Sequence, residues 1–220
     1  MQSIKLDNRT TQILKNFATI NPSLLFKTGN KLTTMSATRS ILSRATIAQT
    51  FESEFAIYDL SRFLGVMSLF NEPELLIEEK FMTIASGSKR LNYTFADPST
   101  IITPPNKEIE VSNPDVKCAL SAETFSDVMK AASLLKHPEI AFIGKDGELT
   151  ISAIDSSGKS KDTYDVKIAE TDKNFRLIIK VENLKFLPGN YEVSLTKGIS
   201  LFKGDGIEYF IAIEHNSTFA

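Results

Sequence analysis

The positions of eight prolines constrain this chain more than any other feature, because a proline ends a helix and pushes the residue before it toward extended backbone. Four of them, Pro98, Pro104, Pro105 and Pro114, crowd the stretch from Asp97 to Lys117, which lacks sustained periodicity and reads as an extended connector. The other four, Pro22, Pro73, Pro138 and Pro188, each follow a helix-like segment and precede a strand-like one. Pro22 and Pro73 stand 51 residues apart and Pro138 and Pro188 stand 50 apart, so the second half restates the first nearly in register. Two similar domains are expected, residues 1–108 with most of the connector and residues 109–220, each built from two helix-plus-strands units.

Apolar spacing places the helices. Over Asn8–Thr19 the stripe is Thr10, Ile13, Leu14 and Phe17, leaving Arg9, Gln12, Lys15, Asn16 and Thr19 outside, with Asp7 or Asn8 as cap. Asp59–Phe70 buries Leu60, Phe63, Leu64 and Met67 and exposes Arg62. A third helix opens at Ser121, buries Phe125, Val128, Met129, Ala132 and Leu135, and exposes Ser126, Lys130, Ser133 and His137, with Lys136 near its end. The fourth, Val181–Leu187, is a turn or two with Lys180, Asn183 and Lys185 turned to solvent. Ile140–Ile143 and Glu148–Ile151 flank Gly144-Lys145-Asp146-Gly147 as a hairpin. Further strands are predicted at Leu24–Phe26, Leu75–Ile84, Arg90–Phe95, Thr163–Ile168, Phe175–Ile179, Tyr191–Leu195, Ile199–Phe202 and Tyr209–Ile213. The fold class is α+β, rich in antiparallel strands.

Little in the chain supports catalysis. Gly158-Lys159-Ser160 lacks the preceding glycine of a phosphate loop, since position 153 is Ala153, and a strand follows where a helix must. His137 and His215 have no partner at metal-ligand spacing and read as capping or surface residues. The single cysteine, Cys118, makes neither an internal disulfide nor a cysteine-built metal site. No enzyme, metal or cofactor is expected, and without a signal peptide or a long apolar run the expected compartment is the cytoplasm.

A net charge of −2, from 25 basic and 27 acidic residues, argues against a surface that coats nucleic acid but leaves room for a local basic face. Arg9, Lys15, Arg62, Lys130, Lys136 and Lys185 are the candidates for such a face. Taken singly each is an ordinary solvated cation. If four similar units place their helices on one side, these side chains converge on one surface that attracts phosphates without reading bases.

Leu14-Lys15-Asn16-Phe17-Ala18-Thr19-Ile20-Asn21, Ala56-Ile57-Tyr58-Asp59-Leu60 with Phe63-Leu64-Gly65, Ala96-Asp97-Pro98-Ser99-Thr100 with Pro105-Asn106-Lys107, Pro188-Gly189-Asn190-Tyr191, and Ala212 with His215-Asn216-Ser217-Thr218 together resemble the sliding clamps of T-even-type bacteriophages. That resemblance spans nearly the whole chain. It implies a DNA-clamp fold of two similar domains, closed as a homotrimer with helices around a central hole and sheets outside. It further implies double-stranded DNA bound without sequence preference, an ATP-driven clamp loader, a replicative polymerase held through its C-terminal peptide, late-transcription factors as further partners, no membrane, and action in the cytoplasm of an infected host cell. Lys15, Lys130 and Lys185 fall where the family carries basic residues, and a partner-peptide pocket is expected beside the connector at Ile101 and Ile102. Arg62 departs from the family pattern, as do the loops Ser36–Arg44 and Ser156–Lys161. The competing reading from the residues alone is an oligomeric, non-enzymatic phage structural protein. A single-strand binder is disfavoured by the absence of tryptophan and by phenylalanines that fall at core positions.

Overall fold

The computed structural model describes residues 2–105 and 109–219. The chain divides into two compact units, Met1–Asn106 and Lys107–Ala220. The division expected after residue 108 lies outside the described residues.

Unit 1 runs β1 (Gln2–Lys5), α1 (Asn8–Ile20), β2 (Leu24–Phe26), β3 (Gly29–Met35), β4 (Ile41–Phe51), β5 (Phe55–Ile57), α2 (Leu60–Met67), β6 (Glu74–Ile77), β7 (Phe81–Ser86) and β8 (Lys89–Thr94). Asp7 starts α1 by accepting the Thr10 N–H at 2.6 Å, and Asp59 starts α2 by accepting that of Arg62 at 2.8 Å, each satisfying a donor the helix itself cannot pair. The two helices pack against each other. β1, β6, β7 and β8 form an antiparallel sheet in that order, with β8 on its edge, and β3 pairs antiparallel with β4. Phe26, Phe51, Phe55 and Phe95 interlock at centroid spacings of 4.6 to 5.5 Å, while Leu14, Phe17 and Phe63 complete the buried interior.

Unit 2 runs β9 (Val116–Leu120), α3 (Ala122–Leu135), β10 (Glu139–Lys145), β11 (Glu148–Ile154), β12 (Tyr164–Glu170), β13 (Phe175–Lys180), β14 (Tyr191–Leu195), β15 (Ile199–Gly204), β16 (Ile207–Ala212) and β17 (Thr218–Phe219). One antiparallel sheet has the order β12-β11-β10-β13-β17, with β12 on its edge, and β16, β15, β14 and β9 pair antiparallel in that order. The hairpin between β10 and β11 turns at Asp146 and Gly147, both at positive φ, the conformation a two-residue turn needs. Gly144 has a separate reason: a Cβ there would strike the Lys173 carbonyl and the Phe175 ring. Phe142, Phe186, Tyr191, Phe202 and Tyr209 form the aromatic core.

Several expectations need correction. The fourth helix is only a 3-10 turn, Val181–Asn183, followed by extended chain, and Asn183 is buried rather than solvent-facing. Seven residues between β13 and Pro188 are too few to recover the cost of nucleating an α-helix. α2 ends at Met67, and Leu64 is half-buried. On α3 only Val128 and Ala132 are buried, Phe125 and Met129 are half-buried and Leu135 is exposed. His137 is buried, its Nε2–H donating to the Asp162 carbonyl 2.9 Å away. Leu75–Ile84 is two strands joined by a turn at Glu78-Glu79-Lys80.

Candidate functional site

The candidate cations are all exposed, and the two units present them differently. In unit 1, Lys15 points opposite the buried stripe of α1, and Arg9 flanks it one to two turns earlier. Arg62 stands on α2, the helix packed against α1. Neither helix contains an acidic residue, so this pair presents three positive charges and no negative ones within its own length. Asp7 and Asp59 precede the helices and are engaged as caps; hydrogen bonds from the Thr10 and Arg9 side of the first turn hold the Asp7 carboxyl below its ordinary range, the Thr10 N–H contributing most.

In unit 2 the positive charge is diluted. Glu123, Asp127, Lys130 and Leu134 follow one another at helical spacing along the outer face of α3, and Lys130 Nζ lies 3.3 Å from Asp127 Oδ1. Both partners are solvated, so the pair orients Lys130 without stabilising the fold appreciably. Lys136 occupies the left-handed C-cap of α3 and Lys185 lies in the extended stretch after the 3-10 turn. Lys15 and Lys130 occupy equivalent places: counted back from the helix ends at Ile20 and Leu135, both are five residues from the last helical position.

The connector leaves unit 1 through a built anchor. Asn21, buried at the end of α1, donates through Nδ2 to the carbonyls of Met35 at 3.0 Å and Ile102 at 3.1 Å, while its Oδ1 accepts from the Ser23 N–H and hydroxyl. All four hydrogen-bonding directions of the amide are therefore used. The backbone of Ile102 is fixed while its side chain stays 49% exposed, with Ile101 half-buried beside it. Upstream, Asp97 caps the turn Pro98–Thr100, and the Ser99 N–H lowers its carboxyl below the ordinary range. Around Ile101 and Ile102 the chain thus offers two aliphatic side chains on a fixed backbone, the chemistry an apolar peptide anchor needs.

Two features escaped the sequence reading. Both β8 and β12 are free sheet edges with alternating half-buried apolar residues, Leu91 and Tyr93 on one, Val166 and Ile168 on the other. Their alternation was visible in the sequence, but edge position is a property of pairing. Among the described residues no group of three or more His, Cys, Asp or Glu side chains is placed to hold a metal ion. Burial pushes the Cys118 thiol up to about 11, leaving it protonated and inert at neutral pH.

Comparison with known proteins gives a consistent result. Residues 5–103 match the family described as DNA polymerase processivity factor, and residues 117–215 match gp45 sliding clamp, C terminal. The sliding clamp of Vibrio phage KVP40 is 32% identical over 96% of this chain and 99% of its own length. That of Enterobacteria phage T4 is 30% identical over 98% and 99%. Among solved structures, A. fulgidus PCNA, seen with the C-terminal region of FEN-1 bound, superposes with a TM-score of 0.74 at 15% identity and covers 99% of this chain and 100% of its own. The DNA polymerase III beta chain of Streptococcus pneumoniae gives 0.70 at 16% identity, covering 97% of this chain and 64% of its own. At such identities the structural likeness speaks to the fold alone.

Proposed function

The chain belongs to the sliding-clamp family of DNA polymerase processivity factors, and from that premise we propose that three copies close head to tail into a ring around duplex DNA and tether the replicative polymerase. The observation that carries this reading is the pair of unlike free edges, β8 in unit 1 and β12 in unit 2. Contacts between unlike edges of successive copies are heterologous, and such contacts generate closed rings when the rotation fits. An antiparallel register that sets Leu91 against Ile168 also sets Tyr93 against Val166 and Lys89 against Glu170, matching apolar with apolar and cation with anion along one face. A shift by two residues sets Lys89 against Ile168 in one direction and Leu91 against Glu170 in the other.

In this reading the chain performs no chemistry. It holds the polymerase by topology, so DNA contacts must be weak, numerous and indifferent to sequence, which long lysine and arginine side chains over phosphates provide. Arg9, Lys15, Arg62, Lys130, Lys136 and Lys185 supply them, with unit 1 as the stronger contributor because its helices carry no competing acid. An ATP-driven loader opens the ring, and the C-terminal peptide of the polymerase, as well as late-transcription factors, dock against Ile101 and Ile102. The setting is the cytoplasm of the infected cell.

The test is covalent closure. In a Cys118→Ser background, Leu91→Cys with Ile168→Cys should give, on mild oxidation, a species of three subunits that no longer dissociates on dilution. An intrachain bond, or monomers alone, would remove these edges from the interface.

A further inference from the structure

We infer that unit 2 carries a docking groove for an acidic amphipathic helix of a partner protein, beside α3 and in the place that α2 fills in unit 1. The inference rests on the internal repeat of the fold and is independent of ring closure.

In unit 1, residues 58–72 between β5 and Pro73 provide α2, which packs on α1. In unit 2, residues 181–187 between β13 and Pro188 provide only a 3-10 turn, and α3 is the single α-helix among the described residues of that unit. The consequence is read from burial. Aligned on their last residues, α1 and α3 set Leu14 against Met129; Leu14 is fully buried, whereas Met129 remains half-exposed, as does Phe125 one turn before it. Phe125, Met129 and Ser133 of α3 line a groove of about 410 Å³ together with Phe186, Leu187 and Pro188.

The far wall is held in place before any ligand arrives. Phe125 stacks on Phe186 at 5.3 Å, the Leu187 N–H donates to the Tyr209 hydroxyl at 3.0 Å, the Tyr191 hydroxyl donates to the Leu187 carbonyl, and Asn190 Oδ1 accepts the Ala122 N–H at 2.8 Å. A groove fixed in this way loses little entropy on binding. Its shape and lining suit one helix face with apolar residues at three and four spacing, the pattern Leu60, Phe63 and Met67 display on α2. Lys130 borders the groove, and although Asp127 lies 3.3 Å from its ammonium, among the described residues no acidic side chain lines the groove itself, which sets an acidic preference for the helix's outer side. If Lys130 also faces DNA, as proposed above, such a partner and DNA compete for this surface.

The probe is a synthetic peptide of residues 58–72 with Arg62→Glu, which keeps the apolar spacing and makes the outer face more acidic. It is titrated into the full chain labelled at its methionine methyl groups, of which there are five. The expected result is a saturable shift of the Met129 methyl resonance, half-complete at roughly 0.1 to 1 mM as befits a short isolated helix. Added salt should weaken it, a scrambled peptide should not produce it, and Ser126→Glu with Ser133→Glu, at exposed positions of α3, should weaken binding at least fivefold. An unmoved Met129, an equal response to the scrambled peptide, or shifts at Met67 and Met82 instead, would overturn the proposal.

Discussion

Reversing Lys89 to Glu tests the proposed edge pairing where it is most specific. Both Lys89 and Glu170 are exposed in the isolated chain; Lys89 Nζ donates to the Leu69 carbonyl at 3.5 Å and Glu170 lies 4.0 Å from Lys167, so neither is committed to a strong internal pair. Across a cross-strand contact, exchanging attraction for repulsion costs about 1 kcal/mol. A closed trimer contains that contact at each of its three interfaces, about 3 kcal/mol in total. Because trimer formation depends on the cube of the free-subunit concentration, the midpoint concentration moves by half of that free energy, a rise of roughly tenfold. Sedimentation velocity over a dilution series measures it. Glu170→Lys alone should do the same, and the double reversal should return the midpoint to within about twofold of the parent, since the pair is restored with its sign exchanged. Lys145→Glu, at the exposed tip of the β10–β11 hairpin, should change it less than about twofold, which controls for net charge. A double reversal no better than the worse single variant would refute the register, whatever the ring does.

Replacing Lys15, Lys130 and Lys185 together by Ala should shorten retention on primed DNA and leave the assembly state unchanged; retention equal to the parent's would remove these side chains from the DNA face. Asn21→Ala should cost about 1 to 3 kcal/mol in denaturant unfolding, because it strands buried partners at Met35 and Ser23, and should speed amide exchange through 101–103 first. Asp7→Ala should cost about 1 kcal/mol near neutral pH. Because the folded state lowers the Asp7 pKa, its stabilisation is present above the ordinary carboxylate value near 3.8 and is lost as pH falls through the lower folded value, so parent and variant should converge as the pH is taken below that range, measured by thermal unfolding.

Much of this fold was legible because its punctuation is chemical. Pro22, Pro73, Pro138 and Pro188 each stand between a helix or turn and a strand, Asp7, Asp59 and Ser121 cap the three α-helices, and Asp146-Gly147 turns the clearest hairpin. β4 stayed hidden because its inward positions include Ser43 and Ala45, both almost fully buried, so the alternation lacks bulky residues to announce it. The turn at Glu78-Glu79-Lys80 has no Gly or Pro to break an otherwise apolar run. Periodicity on α3 marked Phe125, Met129 and Leu135 as core, yet in unit 2 the helix that would have covered that flank is missing, and no local pattern reports a missing neighbour. His137 looked like a surface residue beside a proline and is instead buried against the Asp162 carbonyl, a partner 25 residues away. The exposure of Arg9, Lys15, Arg62 and Lys130 was readable from helix spacing, whereas Lys185 lies on extended chain where a helix was expected, edge strands are defined by long-range pairing, and the contacts proposed between copies are not encoded in any single window.

The most direct measurement of the central claim pairs solution mass by light scattering over a dilution series with polymerase extension on a primed circular template, with and without loader and ATP. A trimeric clamp gives a mass of three subunits at high concentration and long products only when the chain, loader and ATP are all present. A persistent monomer, or extension lengths unchanged by the chain, would contradict it.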